Sequence, residues 1–193
     1  MKIVIIDYGA GNIQSIKFAI QRLGYQAVLS KDPEKIKAAD KVIFPGVGEA
    51  GSAMRKLKES GLDKIIPQLK QPVLGICLGM QLMCAHTEEG DTTGLGVFDI
   101  NIVKFTTPVK VPQIGWNQIT DLKSSLFSSV AENEHVYLVH SYYAPVTSQT
   151  ISKTNYGGEY STAVQKDNFY GVQFHPEKSS VLGEQILRNF LSL

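Results

Sequence analysis

Residues 2–7, KIVIID, read as a short buried strand, and NIQSIKFAIQRLG (12–24) carries helical periodicity up to a closing Gly24. A second strand, QAVLS (26–30), completes a βαβ rhythm. The alternation continues with a short helix opened by Asp32-Pro33, the strand KVIFP (41–45), a GVGEAG loop and helical segments over about 50–70. It closes with PVLGI (72–76) and a helix from about Leu78 to His86. Such a pattern predicts an α/β three-layer sandwich: a mostly parallel open sheet, helices on both faces, and ligands at the carboxyl ends of strands.

The second half changes period. FDINIVKF (98–105) alternates apolar and polar residues, and STAVQKDNFYGVQF (161–174) reads as two strands about the turn Lys166-Asp167-Asn168. These are expected as antiparallel additions. The last segment, 179–193, places apolar residues at 182, 186, 187 and 190, a helical stripe suited to packing on the sheet. No repeat or linker divides the chain, so one domain over 1–193 is expected.

Composition narrows the classes of function. The 193 residues are 43% apolar and 19% charged, ordinary for a globular domain, and the formal net charge is +1 with Lys and Arg scattered. Neither a nucleic acid nor an anionic membrane is implied as partner. The N-terminal stretch meets Asp7 too early for the apolar core of a signal peptide, so a cytoplasmic protein is expected. Two cysteines, Cys77 and Cys84, would lie about 10 Å apart if both sat on one helix, too far for a disulfide. The four histidines lack the spacing of zinc ligands, and neither metal nor cofactor is implied.

The chemistry concentrates in GICLGMQL (75–82), where Gly-x-Cys-x-Gly joins a strand to a helix. This is the cysteine form of the nucleophile elbow, a tight turn that holds the reactive atom above a sheet edge. Glycines at 75 and 79 let neighbouring segments approach, and a helix N-terminus favours a thiolate. Cysteine is also among the most buried residue types. That is the reading given to Cys84, and for Cys77 alone the two readings balance.

A base for Cys77 is found in GVQFHPEKS (171–179). Pro176 biases His175 toward extended geometry, and extended residues two apart face the same side. His175 and Glu177 can therefore project together, the carboxylate orienting a histidine that carries the proton of the cysteine. A surface loop with a solvated Glu177 is the competing reading. His140, within YLVHSYY, is a rival base better suited to a satisfied core position.

GICLGMQ and FHPE, about a hundred residues apart and in that order, resemble the signatures of the triad-type (class I) glutamine amidotransferases. Within that family the stretches DYGAGN (7–12), FPGVGEAG (44–51), IGWNQI (114–119) and GVQFHPEKS resemble the branch that supplies the glutaminase subunit of imidazole glycerol phosphate synthase. The resemblance implies Cys77 as nucleophile, His175 as general base and acid, and Glu177 as its orienting partner. The reaction would be hydrolysis of glutamine through a γ-glutamyl thioester. A backbone oxyanion site is implied at Leu78 and at the loop containing Gly46 and Val47, whose glycines at 46 and 48 ease rotation of a peptide. Gln81, one helical turn beyond the nucleophile, and Glu89, with Glu88 beside it, match positions that hold the amino acid end of the substrate. Ser141 and Tyr142 match a segment near it.

The same resemblance implies a partner, a (β/α)8-barrel cyclase subunit that receives ammonia and forms imidazole glycerol phosphate and the aminoimidazole carboxamide ribonucleotide in histidine biosynthesis. Trp116, Asn117 and Lys178 match positions near that interface, and a large aromatic suits an anchor; ordinary core packing is the alternative for Trp116. Two other patterns fail. Gly9-Ala10-Gly11 with Asp32 imitates a dinucleotide fingerprint, but Gln14 replaces its third glycine. In an α/β-hydrolase the acid should precede the histidine, whereas Glu177 follows His175. A glutaminase serving another acceptor, such as pyridoxal phosphate or anthranilate synthase, and a non-catalytic regulatory module are the alternative functions.

Overall fold

The computed structural model describes residues 1–193 apart from Ala10 and Thr107. The middle residue of the Gly9-Ala10-Gly11 stretch, and with it part of DYGAGN, therefore lies outside the described residues. In the first half, β1 (Ile3–Ile6), α1 (Ile13–Arg22), β2 (Ala27–Ser30), α2 (Pro33–Lys37), β3 (Lys41–Gly46) and α3 (Ala50–Glu59) follow one another. Then come α4 (Leu62–Ile65), β4 (Val73–Cys77) and α5 (Leu78–Met83). Helix α2 starts where the sequence predicts: the Asp32 side chain accepts from the Glu34 amide, and Pro33 occupies the first turn, where a missing N–H costs nothing.

The remaining strands are β5 (Cys84–Thr87), β6 (Thr92–Thr93), β7 (Phe98–Lys104), β8 (Gln113–Gln118), β9 (His135–His140) and β10 (Tyr142–Tyr143). They are followed by β11 (Thr150–Asn155), β12 (Glu159–Lys166), β13 (Phe169–Val172) and the closing helix α6 (Ser180–Ser192). The main sheet has the order β11-β12-β13-β4-β3-β1-β2. Pairing is parallel from β13 through β4, β3 and β1 to β2, and antiparallel at β11-β12 and β12-β13. The fold is thus an α/β sandwich on a mostly parallel sheet with antiparallel strands added at one edge.

Side-chain alternation divides the core between the two faces of this sheet. Ile3 and Ile5 of β1 pack with Ile16 and Ile20 of α1 and with Ile186, Leu187 and Phe190 of α6. Val4 and Ile6 face the other way, toward Ile36 of α2 and Met54 and Leu57 of α3. Each such fully buried aliphatic side chain contributes about 1.5–3 kcal/mol relative to exposure.

Three local expectations are corrected, for the helix after Cys77, for FDINIVKF and for Glu177. FDINIVKF, expected as an antiparallel addition, is β7, which pairs in parallel with β5 and antiparallel with β10. The helix expected from Leu78 to His86 stops at Met83, and Cys84 opens β5, which pairs with β7 and β6 in a four-stranded sheet, β10-β7-β5-β6. Cys84 is therefore not a mid-helix residue, although it is fully buried. The segment containing IGWNQI forms a separate two-stranded ribbon, β8-β9, whose Val136 and Leu138 pack on the α1/α6 side. Glu177 lies in a 3-10 turn, Pro176–Lys178, and not on an extended strand, because Pro176 opens that turn with its fixed φ. Among the described residues no helix is long and apolar enough to cross a membrane.

Candidate active site

The site lies at the carboxyl ends of β3, β4 and β13. Strand β4 runs directly into α5 at Cys77, whose φ of 54° and ψ of −112° are strained values for a residue with a side chain. Conformations of this kind cost on the order of 1–3 kcal/mol and persist only where the surroundings enforce them. The enforcement is visible in β3, which pairs with β4 as far as Gly46 opposite Cys77. A Cβ on Gly79 would collide with the Phe44 carbonyl, and one on Gly46 would approach the Gly79 amide to 2.6 Å. Glycine at both places lets the two backbones meet beneath Cys77.

Gly46 is therefore the end of β3 and not a free loop residue. Conformational freedom in this loop falls to Gly48, which has φ of 96° and open space where a side chain would point. Val47 beside it is 42% exposed. Leu78, the first residue of α5, carries an amide that an intrahelical carbonyl cannot reach.

His175 arrives from β13 and is held by the ribbon. Its amide donates to the Tyr137 carbonyl at 2.9 Å. Ser179, fully buried, accepts from the Tyr137 amide at 3.0 Å and donates to the His175 carbonyl at 2.7 Å. The His175 Nδ1 lies 2.9 Å from Glu177 Oε1, and both side chains are almost completely buried. Burial alone would lower the pKa of His175. Hydrogen bonding and charge from Cys77 and Glu177 outweigh it and raise the value to about 10, which favours the imidazolium form at neutral pH.

His140, the rival base, is turned elsewhere. Its Nδ1 is 2.7 Å from the Tyr142 carbonyl and its Nε2 is 3.0 Å from the Tyr160 hydroxyl. Burial, opposed by the Tyr142 hydrogen bond and assisted by the charge of His175, lowers its pKa to about 4. A neutral ring with both nitrogens engaged is a structural group.

A cavity of about 380 Å³ opens above the elbow, lined among others by Cys77, Gln81, Glu89, Ser141, Tyr142 and His175. Val47, Gly48, Leu78, His140 and Lys178 also line it. The neighbouring glutamates differ in their partners. Glu88 accepts from the Lys104 amide, whereas Glu89, which lines the cavity, accepts at Oε2 from the Ala50 amide at the start of α3. Burial raises the Glu89 pKa, and that hydrogen bond partly restores it. Gln81 donates to the Tyr142 carbonyl at 3.0 Å and to Gln173 Oε1 at 2.8 Å. Both its N–H groups are committed, so its side chain offers a ligand only the acceptor Oε1.

Of the expected interface residues, Lys178 lines the cavity, whereas Trp116 and Asn117 lie on β8 of the ribbon. Trp116 is 53% exposed and meets Tyr137 edge-on at 5.9 Å between ring centres, which removes core packing as its explanation. Asn117 donates to the Asn155 carbonyl. The Lys178 ammonium stands 5.9 Å from the Tyr137 ring centre.

Three buried groups at the site were not legible as such. Ser179 sits inside the recognised GVQFHPEKS stretch, but nothing in its spacing marks it as a brace. Tyr8, whose hydroxyl donates to the Pro45 carbonyl, follows β1 as any strand-end aromatic does. Gln173, fully exposed-looking by residue type, is fully buried against Cys77. Among the described residues, no group of three or more His, Cys, Asp or Glu could hold a metal ion.

The whole chain has known relatives. The family described as glutamine amidotransferase class-I matches residues 4–193. The imidazole glycerol phosphate synthase subunit HisH of Bacteroides fragilis (strain YCH46) is 55% identical over 196 residues, with all of both chains covered. The same subunit of Yersinia pseudotuberculosis is 46% identical over 196 residues, again with full coverage of both. Among solved structures, PurLQS from Thermotoga maritima superposes with a TM-score of 0.75 at 14% identity, over 99% of this chain and 97% of that one. That likeness concerns the fold alone.

Proposed function

Because this chain belongs to the class I glutamine amidotransferase family, we propose that Cys77, His175 and Glu177 are its catalytic triad. The chain is a glutaminase of histidine biosynthesis, with glutamine as its substrate. The observation that carries the assignment of residues is the strained Cys77 elbow opening into the same cavity as a buried, hydrogen-bonded His175-Glu177 pair.

In this reading the Cys77 sulfur, as thiolate opposite the His175 imidazolium, attacks the side-chain carboxamide carbon of glutamine. The carbonyl oxygen takes the negative charge and is met by the Leu78 amide and by the Val47 amide, the first beyond β3, once that peptide is turned inward. Collapse breaks the C–N bond, and His175 gives its proton to the leaving nitrogen, releasing ammonia and a γ-glutamyl thioester. The now neutral His175 removes a proton from water, which attacks the thioester. Glutamate leaves, and the thiolate-imidazolium pair is restored. Gln81, Glu89, Ser141 and Tyr142 hold the amino acid end of glutamine. Glu177 keeps Nδ1 protonated and Nε2 toward the sulfur.

Ammonia passes to a (β/α)8-barrel cyclase subunit seated on the ribbon side, with Trp116 as its anchor and Asn117 and Lys178 beside it. Support comes from a half-exposed tryptophan on the ribbon, against Tyr137, beside which the cavity-lining Lys178 stands; large exposed aromatics are enriched at interface hot spots. The domain functions as one unit over residues 1–193 and in the cytoplasm. The test is glutamate release from glutamine by the purified chain, alone and with the barrel cyclase plus its nucleotide ligand, with Cys77→Ala as control. Strong activation that depends on Cys77 is expected. Activity indifferent to that partner would reassign the acceptor, and absence of activity in both settings would leave a binding module.

A further inference from the structure

The triad leaves one buried polar contact of the nucleophile unexplained. Gln173, fully buried beyond the end of β13, places its Nε2 3.7 Å from Cys77 Sγ. On another side of the sulfur the Val139 carbonyl lies at 3.8 Å. A carbonyl can only accept, so the Val139 contact favours the protonated thiol. The Gln173 contact has the opposite effect if, and only if, its NH2 end faces the sulfur.

The hydrogen-bond chain fixes that orientation. Tyr142 presents a carbonyl, an acceptor without a donor, to Gln81 at 3.0 Å. The Gln81 nitrogen must therefore face it, since the other rotamer would set two oxygens against each other. The second hydrogen of that nitrogen points at Gln173, 2.8 Å away, and requires an oxygen there. Reversing Gln173 alone would bring two NH2 groups together. With its oxygen committed to Gln81, Gln173 has its NH2 directed at Cys77. His140 reinforces the starting point, because its Nδ1 also lies on the Tyr142 carbonyl, at 2.7 Å.

We propose that Gln173 is a further catalytic residue of this site, a buried donor to Cys77 Sγ whose polarity is set by the Tyr142-Gln81 chain, and that it favours the thiolate over the thiol before attack. A donor gains far more from an anionic acceptor than from a neutral one. Gln173 itself is fully buried, so solvent does not compete for its NH2 group. The inference rests on Cys77 being the nucleophile of the proposed glutaminase.

The test is the rate of Cys77 alkylation by iodoacetamide as a function of pH, read by mass spectrometry of the Cys77 peptide so that Cys84 does not interfere. Gln173→Met keeps the volume and removes the donor. It is expected to move the midpoint of the profile upward by about one pH unit, a roughly tenfold smaller thiolate fraction below the midpoint. Gln173→Glu, which offers the sulfur a carboxylate, is expected to move it further. A folded Gln173→Met protein with an unchanged alkylation profile would overturn the proposal whatever its thermal midpoint, because a merely structural glutamine would alter stability and leave the thiolate fraction alone. If Gln173→Met does not fold, Gln81→Met carries the test: Gln173 stays, its carbonyl is untied, and a smaller upward shift is expected, with no shift again overturning the proposal. The readout needs no glutamine. A chain that released no glutamate with the liganded cyclase would defeat the proposed function while leaving the thiolate measurement to decide on Gln173.

Discussion

His175 and His140 both line the same cavity, and at 5% and 6% exposure they are equally buried, yet their pKa values shift in opposite directions. One is pushed up to about 10 and the other down to about 4. Burial acts on both rings in the same sense, against the charged form. What differs is the company. The corner after β13 surrounds His175 with a thiol and a carboxylate, whereas the corner between β9 and β10 gives His140 a carbonyl, a phenol and the aromatic rings of Phe105 and Tyr160. The comparison teaches that burial sets the stakes and the partners decide the role: the proposed proton carrier at one corner, a brace at the other.

The sharpest way to break this contrast is to exchange the roles. His175→Gln is expected to reduce glutamate release by the liganded complex about 10³-fold, within the range that positioned proton transfer contributes. His140→Gln should leave most of that activity. Comparable losses in both would remove the distinction.

Glu177→Gln should cost less, about 10²-fold, since it disturbs the orientation and charge of the ring and leaves the proton carrier in place. The same change is expected to lower the pKa of His175, which a histidine ring titration followed by NMR would record. An unmoved ring titration would contradict the part assigned to the carboxylate.

Stability against pH separates the two histidines without any substrate. The folded pKa of His175 lies above its ordinary 6.5, so its contribution is complete below that pH and is lost as the pH climbs toward 10. The folded pKa of His140 lies below 6.5, so its contribution is complete above that pH and is lost as the pH falls toward 4. Thermal midpoints measured across pH are expected to lose their alkaline slope in His175→Gln and their acid slope in His140→Gln. At neutral pH His140→Gln should destabilise by about 1–3 kcal/mol, the cost of leaving buried partners unpaired. The smallest effect belongs to Tyr160→Phe, about 0.5–1.5 kcal/mol, because it removes only the hydroxyl between His140 and Gln113.

The sequence was most informative where a local pattern has one physical solution. Apolar runs alternating with helical periodicity led to the order of β1 through β4, and Gly-x-Cys-x-Gly led to the strained elbow. It was least informative where a residue is defined by what approaches it from elsewhere. The helix after Cys77 looked continuous to His86 because nothing in LMCAHT forbids a helix; pairing of Cys84–Thr87 with β7 ends it. Trp116 could be core or surface until the ribbon put it outside. Glu88 and Glu89 were indistinguishable until Lys104 and Ala50 each claimed one. Gln173 reads as a strand residue before FHPE, and its contact with Cys77 spans 96 positions.

The central claim, that Cys77 is the nucleophile of a glutaminase, is tested most directly by looking for its covalent intermediate. The chain with its liganded cyclase partner would be mixed with glutamine, quenched in acid during turnover and analysed by mass spectrometry of its peptides. The account predicts a glutamyl group on Cys77, absent in His175→Gln. Steady release of glutamate with Cys77 unmodified, or release that survives Cys77→Ala, would contradict it.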